Sequence, residues 1–233
     1  MDIEAIQAAK REAVRDSHRV THGSSALMVV DMQHGFLDPG ASLEVPAGRA
    51  IVPNLQRLLA SCRAAGLPVI FTEFVYSTTI PCLRGMPFGI EHLPLPEGAA
   101  TGYGKPSANC LIGEQPGSGV ESSATVSELA PQEGELVVQA HTYDKFYGTP
   151  VELALQSWGI DRLMVTGVTT DVCVNSTILA AANRNYRVIA VTDGMATIHD
   201  HIHQACLDIW ANKFARLATT AELVDEVNAL CAV

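Results

Sequence analysis

The sequence predicts an α/β fold, in which a mainly parallel sheet of six strands is covered by helices on both faces. Short apolar runs that suit buried strands alternate along the chain with longer segments of helical periodicity. Several of these runs are apolar throughout, which is typical of parallel strands covered on both faces. Because 233 residues suffice for one well-buried core and no linker or internal repeat interrupts them, we predict a single domain over 1–233.

Six apolar segments are predicted as the strands of this sheet. The first ends in the carboxylate of Asp31, and the fourth leads into Gly167. Parallel strands end at one edge of a sheet, where open α/β folds bind ligands. We therefore expect Asp31, the residues after Gln139 and the segment after Gly167 to share one crevice. The strands are predicted at 26–31, 68–74, 135–140, 162–165, 187–193 and 215–218.

Segments with apolar residues at helical spacing lie between most of the strands. One of them begins with Thr149 as its N-cap and Pro150 at its first position. An N-terminal helix at 2–18 is expected on the outside, in packing or in a subunit contact. Residues 77–135 are irregular and rich in proline and glycine, so we expect them to shape a substrate mouth or a subunit contact. The other helices are predicted at 49–65, 150–158, 175–182, 198–211 and 221–230.

Composition excludes several classes of function. The net charge of −10 argues against a nucleic acid or an anionic membrane as partner. No run approaches the roughly 20 apolar residues of a membrane span, and the N-terminus lacks the features of a signal peptide, so a cytoplasmic protein is predicted. The six cysteines form no CxxC pair, and their spacing predicts neither disulfides nor a zinc site.

Cys173 has the setting of a reactive cysteine. It lies near the first turn of a predicted helix, just past the carboxyl end of a strand. The positive end of the helix dipole favours a thiolate at such a position. Taken alone, this setting is equally compatible with an ordinary buried cysteine.

Four stretches of the sequence form a recognisable set, namely 26–33 with Phe36, 143–149, 167–174 and 191–193. Together they resemble the isochorismatase-like cysteine hydrolases. The resemblance implies a three-layer α/β/α fold, an Asp–Lys–Cys catalytic constellation and a cis peptide bond between Val168 and Thr169. It also implies that Asp31 acts as general base on the thiol of Cys173, which attacks an amide carbonyl, while the backbone N–H groups of Thr169 and Cys173 stabilise the oxyanion.

The lysine of this constellation is out of place in the sequence. In the family it usually ends the third strand, a position that falls on Ala140 here, whereas Lys145 lies inside the following loop. Either Lys145 reaches the site from the loop, or this chain carries alanine where a working enzyme carries lysine. We favour the second alternative, because the flanking motif aligns without a gap. The loss of the cation would raise the pKa of the thiol and weaken the nucleophile.

The resemblance also implies the chemical class of the substrate. Cys173 favours amide cleavage over the vinyl-ether hydrolysis of true isochorismatases, which lack that cysteine. The Asp-x-His metal motif of nicotinamidases is absent after the second strand, so we predict no metal and no cofactor. Metal-free members act on small amides with carbamoyl or ureido groups. The residues predicted to line the substrate pocket are Gln33, Phe36, Glu73, Tyr143, Lys145, Phe146 and Val168.

Three functions are therefore weighed. The first is an amidase for a small carbamoyl or ureido compound, and the second is an isochorismatase-type or nicotinamidase-type hydrolase. The third is a catalytically silent member that serves as a binding module, an alternative that rests on Ala140. The partner is a small-molecule amide in the first case, and the relatives imply a homo-oligomer, either a dimer or a tetramer.

Overall fold

The centre of the structure is a six-stranded parallel sheet in the order β3-β2-β1-β4-β5-β6. The computed structural model describes residues 2–41, 43–75 and 120–231. This architecture confirms the predicted fold class. The strands are β1 (Ser25–Val30), β2 (Val69–Phe74), β3 (Leu136–Ala140), β4 (Arg162–Val168), β5 (Arg187–Ala196) and β6 (Ala215–Ala218).

Helices cover both faces of the sheet. The bounds are α1 (Ile3–Ser17), α2 (His34–Leu37), α3 (Gly48–Ala64), α4 (Val120–Ser123), α5 (Val151–Ser157), α6 (Asn175–Asn183), α7 (Asp200–Lys213) and α8 (Thr220–Leu230). Leucines of α3 and α8 fill a hydrophobic cluster on one face, and apolar side chains of α5, α6 and α7 fill a second cluster on the other. The three layers of the prediction are therefore present.

Strand β1 shows why an uninterrupted apolar run becomes a central strand. Successive side chains of a strand point to opposite faces of the sheet. In β1, Leu27 and Val29 enter the first cluster, and Ala26, Met28 and Val30 enter the second. All five are buried, because each face carries its own layer of helices.

The structure extends two strands beyond their predicted ends. Strand β4 continues to Val168 and β5 to Ala196, and their pairing shifts register between Val165 and Gly167. Such an irregularity re-aims the end of a strand. Both extensions therefore reach the carboxyl edge of the sheet, where the candidate site lies.

Only part of the irregular segment predicted at 77–135 can be compared with the structure. Residues 77–119 lie outside the described residues, so the expected role of this segment in a substrate mouth stays a prediction there. From residue 120 onward, the chain forms α4 and a 3-10 turn at Ser127–Leu129 before it enters β3. Thr125 forms an isolated antiparallel bridge to Gln33, which joins this segment to the loop after β1.

The N-terminal helix α1 lies on the outside, near the edge strand β6. Its Lys10 donates a hydrogen bond to the carbonyl of Asn212 over 2.5 Å, and its Ile3 and Ile6 are exposed. No helix in the described part of the chain is long and apolar enough to cross a membrane.

Candidate active site

The candidate site begins where the neighbouring strands β1 and β4 end. Val30 is paired with Gly167, so Asp31 emerges beside the last residues of β4. Asp31 is buried and adopts a left-handed backbone conformation with φ of 51°, which is uncommon for a residue other than glycine. Outliers of this kind cluster at functional sites, where the surrounding structure holds them in place.

Cys173 is presented by a tight turn between β4 and α6. The Val168–Thr169 peptide bond is cis, and a π-helical turn follows at Thr170–Val174. The carbonyl of Thr169 accepts hydrogen bonds from the amides of Val172 over 3.2 Å and Val174 over 3.1 Å. The sulfur of Cys173 is buried, and the backbone of Thr169 is close enough to lower its pKa slightly against the larger effects of burial and Asp31. The turn thus places a thiol and a backbone donor at one point.

The carboxylate of Asp31 lies between three groups. Its Oδ1 accepts a hydrogen bond of 2.8 Å from the hydroxyl of Thr72, and its Oδ2 lies 2.8 Å from Nζ of Lys145. The thiol of Cys173 is close enough to this carboxylate for the negative charge of Asp31 to raise its pKa, after the larger effect of burial. A carboxylate, an ammonium and a thiol therefore meet in one buried place.

Lys145 reaches this place from the loop after β3. Its side chain is 2% exposed and that of Asp31 is fully buried, so the ion pair is shielded from water. Nζ also donates to the carbonyl of Thr142 over 2.8 Å and lies 5.3 Å from the ring centroid of Phe74. A buried ammonium needs such partners, because removing it from water costs several kcal/mol.

This geometry corrects the preference for Ala140 as the position of a missing lysine. Ala140 is buried at the end of β3, where it is paired with Phe74. The site nevertheless holds an ammonium, which Lys145 supplies from five residues further along the chain. Of the two alternatives drawn from the sequence, the structure agrees with the first. The sequence left both alternatives open, because a lysine side chain is long enough to reach one point from different backbone positions.

The environment of Cys173 favours a neutral thiol over a thiolate. Burial raises the pKa of Cys173 well above its usual value, the carboxylate of Asp31 raises it further, and the ammonium of Lys145 opposes the rise. The helix dipole was expected to favour a thiolate here, but burial and the charge of Asp31 act in the opposite direction on the pKa of this thiol.

Gln33 and Glu73, both predicted to bind substrate, are engaged with the protein instead. The side-chain amide of Gln33 donates to the carbonyls of Phe74 and Ser123 and accepts from the amide of Phe74, over 2.7–2.9 Å. The carboxylate of Glu73 accepts from Thr125 over 2.8 and 2.9 Å and from Gln139 over 2.9 Å. These buried groups tie the segment after residue 120 to the sheet. No pattern in the sequence indicates this role.

The predicted aromatic residues fall into two places. Tyr143 is stacked on Phe74, with ring centroids 5.6 Å apart and planes 8° apart, and Phe36 lies 6.4 Å from the same ring. Phe146 points elsewhere, because it packs against Tyr186 at 5.7 Å under the guanidinium of Arg184. Arg184 and Tyr186 follow the end of α6. Phe146 shares a buried hydrophobic cluster with Cys173, so its predicted place in the wall of the substrate pocket stays a prediction.

Val168 is buried at the end of β4, directly before the cis bond. Within residues 2–41, 43–75 and 120–231, no group of three His, Cys, Asp or Glu side chains is arranged to hold a metal ion.

Two residues of the site were not predicted from the sequence, namely Thr72 and Thr177. Both are buried threonines on regular elements, and nothing in their sequence context sets them apart from packing residues.

Comparison with known proteins identifies the family of this chain. The model of the isochorismatase domain matches residues 25–222. The N-carbamoylsarcosine amidase of an Arthrobacter species is 28% identical over 213 residues, which cover 91% of this chain and 75% of that protein. The ureidoacrylate amidohydrolase RutB of Pseudomonas syringae is 29% identical over 199 residues, covering 83% and 79%. That of Klebsiella pneumoniae is 33% identical over 159 residues, covering 66% and 65%.

Solved structures share the fold. An isochorismatase family protein from Desulfovibrio vulgaris has 26% identity and a TM-score of 0.72, over 88% of this chain and 98% of that one. A cysteine hydrolase from Pseudomonas syringae pv. phaseolicola, at 24% identity, has a TM-score of 0.73 over 91% and 96%. The family match covers all six strands and the residues gathered at their carboxyl ends. The resemblance inferred from the sequence is thus confirmed, and the chain belongs to the isochorismatase family of hydrolases.

Proposed function

We propose that this protein hydrolyses a C–N amide bond of a small carbamoyl or ureido compound and releases ammonia through an acyl-enzyme on Cys173. One observation carries the proposal, namely that Asp31, Lys145 and Cys173 meet in a buried site, with 2.8 Å between the carboxylate and the ammonium. Catalysis by a cysteine nucleophile needs a base within reach of the sulfur, and the positions of Asp31 and Cys173 support this role.

In the first half of the reaction, the proton of the Cys173 thiol passes to Oδ2 of Asp31 as the sulfur attacks the carbonyl carbon. The C=O electron pair moves to oxygen, where the N–H groups of Thr169 and Cys173 are proposed to hold the oxyanion. When the oxyanion collapses, the C–N bond breaks and the amine takes the proton from Asp31. The products of this half are ammonia and an acyl-enzyme thioester, which is a thiocarbamate when the carbonyl belongs to a carbamoyl or ureido group.

In the second half, water attacks the thioester carbonyl and gives one proton to Asp31. The C–S bond then breaks, the acid leaves, and the sulfur recovers its proton from Asp31. Lys145 is proposed to stabilise the negative charge that passes between the carboxylate, the sulfur and the oxyanion. A cation held in a dry site is effective in this role, because no solvent screens it.

The substrate class is supported by the relatives. The relatives include ureidoacrylate amidohydrolases and an N-carbamoylsarcosine amidase. Ureidoacrylate and N-carbamoylsarcosine are both amides with a carbamoyl or ureido group. Because these relatives are about 30% identical to this chain, the proposal covers their class of substrate and not one particular compound.

The test is ammonia release from a panel of biuret, ureidoacrylate, N-carbamoyl amino acids, maleamate and nicotinamide. We expect the unmodified chain to turn over at least one carbamoyl or ureido compound. Cys173→Ser should lower kcat/KM by about 10³-fold or more, because it removes the nucleophile. Lys145→Met should lower it by about 10- to 100-fold, which is typical of losing one electrostatic group.

Two controls keep the test specific. Cys206→Ala changes a cysteine of α7 outside the site and should leave turnover within about twofold. Ala140→Lys alone should not raise the activity, because Lys145 already supplies the ammonium. Unchanged turnover in Cys173→Ser, or nicotinamide as the best substrate of the panel, would contradict the proposal. Activity that appears only in Ala140→Lys would revive the catalytically silent alternative.

A further inference from the structure

The position of Lys145 depends on a loop and not on a strand. Strand β3 ends at Ala140, and the lysine loop, residues 141–149, carries Lys145 past it. The ladder of the sheet therefore does not hold the backbone of Lys145, although Nζ must stay 2.8 Å from Asp31. Because a shift of about 1 Å at a catalytic group can cost 10²-fold in rate, something else must hold this loop in place.

Thr177 is the side chain on α6 that holds it. It lies one helical turn after Cys173 and is fully buried. Its Oγ1 accepts a hydrogen bond from the backbone N–H of Lys145 over 3.3 Å and donates to the carbonyl of Cys173 over 2.7 Å. The carbonyl of Tyr143 lies 3.3 Å from the same oxygen. One hydroxyl thus joins the backbones of the lysine residue and the cysteine residue.

The bond to the carbonyl of Cys173 has an ordinary explanation, since threonine in a helix often donates to the carbonyl four residues earlier. The bond from Lys145 is different, because it links two separate elements of the candidate site. Without the hydroxyl, the N–H of Lys145 would be a buried donor without this acceptor, which is unfavourable. The loop would then relax and carry the ammonium with it.

We propose that Thr177 is a positioning residue, which holds the lysine loop against α6 so that the ammonium of Lys145 stays in reach of Asp31 and of the sulfur of Cys173. The inference rests on the proposed function and deepens it, because it explains how a lysine displaced from the strand can serve the same site. Thr149 supports the loop from within, since its hydroxyl donates to the carbonyl of Lys145 over 2.5 Å.

The first experiment compares Thr177→Val, which keeps the shape and removes the hydroxyl, with Thr177→Ser, which keeps the hydroxyl. The readout is the rate of alkylation of Cys173 by iodoacetamide as a function of pH, followed by mass spectrometry. We expect Thr177→Val to react about tenfold more slowly at pH 8, with its pH profile moved upward, because the thiolate loses its cation. Thr177→Ser should react within about threefold of the unmodified chain.

A double-mutant cycle separates positioning from a purely structural effect on the helix. If Thr177 acts through Lys145, adding Thr177→Val to Lys145→Met should change the alkylation rate by less than about twofold. An equal slowing by Thr177→Val in both backgrounds would overturn the proposal, because Thr177 would then act on Cys173 directly. If Lys145→Met does not fold, Ala140→Lys with Lys145→Ala serves as the second background, with the same expectation.

Thr166→Val is the matched control. Thr166 is another buried threonine whose hydroxyl donates to a backbone carbonyl, but this carbonyl is that of Met28 on β1, over 3.1 Å, and belongs neither to the lysine loop nor to the turn of Cys173. Its alkylation rate should stay within about twofold. Alkylation needs no substrate, so this experiment tests Thr177 even if no amide of the panel is hydrolysed. In the active enzyme, Thr177→Val should lower kcat and leave KM nearly unchanged.

Discussion

Thr72 sets the orientation of the candidate general base. The hydroxyl of this β2 residue donates to Oδ1 of Asp31, and its carbonyl accepts the backbone N–H of Asp31 over 3.0 Å. With one carboxylate oxygen and the backbone thus held, Oδ2 is left facing Lys145 at 2.8 Å. A carboxylate fixed in this way can take a proton from sulfur without first reorienting, which is the advantage of a preorganised site.

Removing this hydroxyl tests the orientation of Asp31. We predict that Thr72→Val lowers kcat by about 10- to 100-fold with little change in KM, because a misdirected base slows proton transfer more than substrate binding. The variant should also lose about 1–2 kcal/mol of unfolding free energy, since Oδ1 is left buried without this donor. Steady-state kinetics and urea denaturation measure the two effects. Thr72→Ser should recover most of kcat, and failure to do so would contradict a role for the hydroxyl.

At the scale of the elements, the close approach of β4 to β1 determines where the cysteine turn begins. Gly167 has φ of 114°, and a Cβ on it would lie 2.0 Å from the carbonyl oxygen of Val30. No side chain fits at this point. Because Gly167 has no side chain, the end of β4 can pack directly against the backbone of Val30, next to Asp31. The chain then continues into the turn that contains Cys173.

Gly167→Ala should consequently be far more damaging than a usual glycine substitution. We expect a loss of more than about 4 kcal/mol in unfolding free energy, or failure to fold, because a backbone clash adds to an unfavourable φ. Gly66→Ala is the control, since its φ of 66° is also positive but nothing lies within 4 Å of the added Cβ. It should cost about 1–2 kcal/mol. Urea denaturation of both variants measures the two losses of unfolding free energy. Equal losses would contradict the predicted clash between a side chain at position 167 and the carbonyl of Val30.

At the scale of the whole molecule, buried thiols link stability to pH. Cys62 lies inside the cluster between α3 and the sheet, and burial raises its pKa to about 12. Burial also raises the pKa of Cys206. In the unfolded chain these thiols ionise near their ordinary values, so the unfolded state holds fewer protons than the folded state at alkaline pH. The free energy of unfolding must therefore fall as the pH rises above about 9.

For Cys62 alone, the fall between pH 8 and pH 10 should be about 1.4 kcal/mol, because one pH unit above the unfolded pKa corresponds to that amount. Urea denaturation at the two pH values measures it. Cys62→Ala will be less stable at pH 8 because it leaves a cavity, but its fall toward pH 10 should be smaller by the same 1.4 kcal/mol or so. An equal fall in both chains would show that Cys62 does not carry this dependence.

The sequence by itself determined the layers of the fold. Continuous apolar runs such as that of β1 suit strands that are covered on both faces. The alternation of six predicted strands with helices therefore predicts the parallel sheet found here. The same reasoning placed Asp31 and Cys173 together, because neighbouring parallel strands end at one edge. The single domain, the homo-oligomer and the cytoplasmic location stay predictions.

The tertiary structure alone decided which side chains meet at that edge. Nothing in the sequence shows that Lys145 folds back onto Asp31, that Thr177 joins its backbone to that of Cys173, or that Gln33 and Glu73 are taken up by the protein. The physical reason is reach. Periodicity fixes the direction of a side chain on a strand or helix, whereas the position of a group on a loop depends on contacts with residues distant in the sequence.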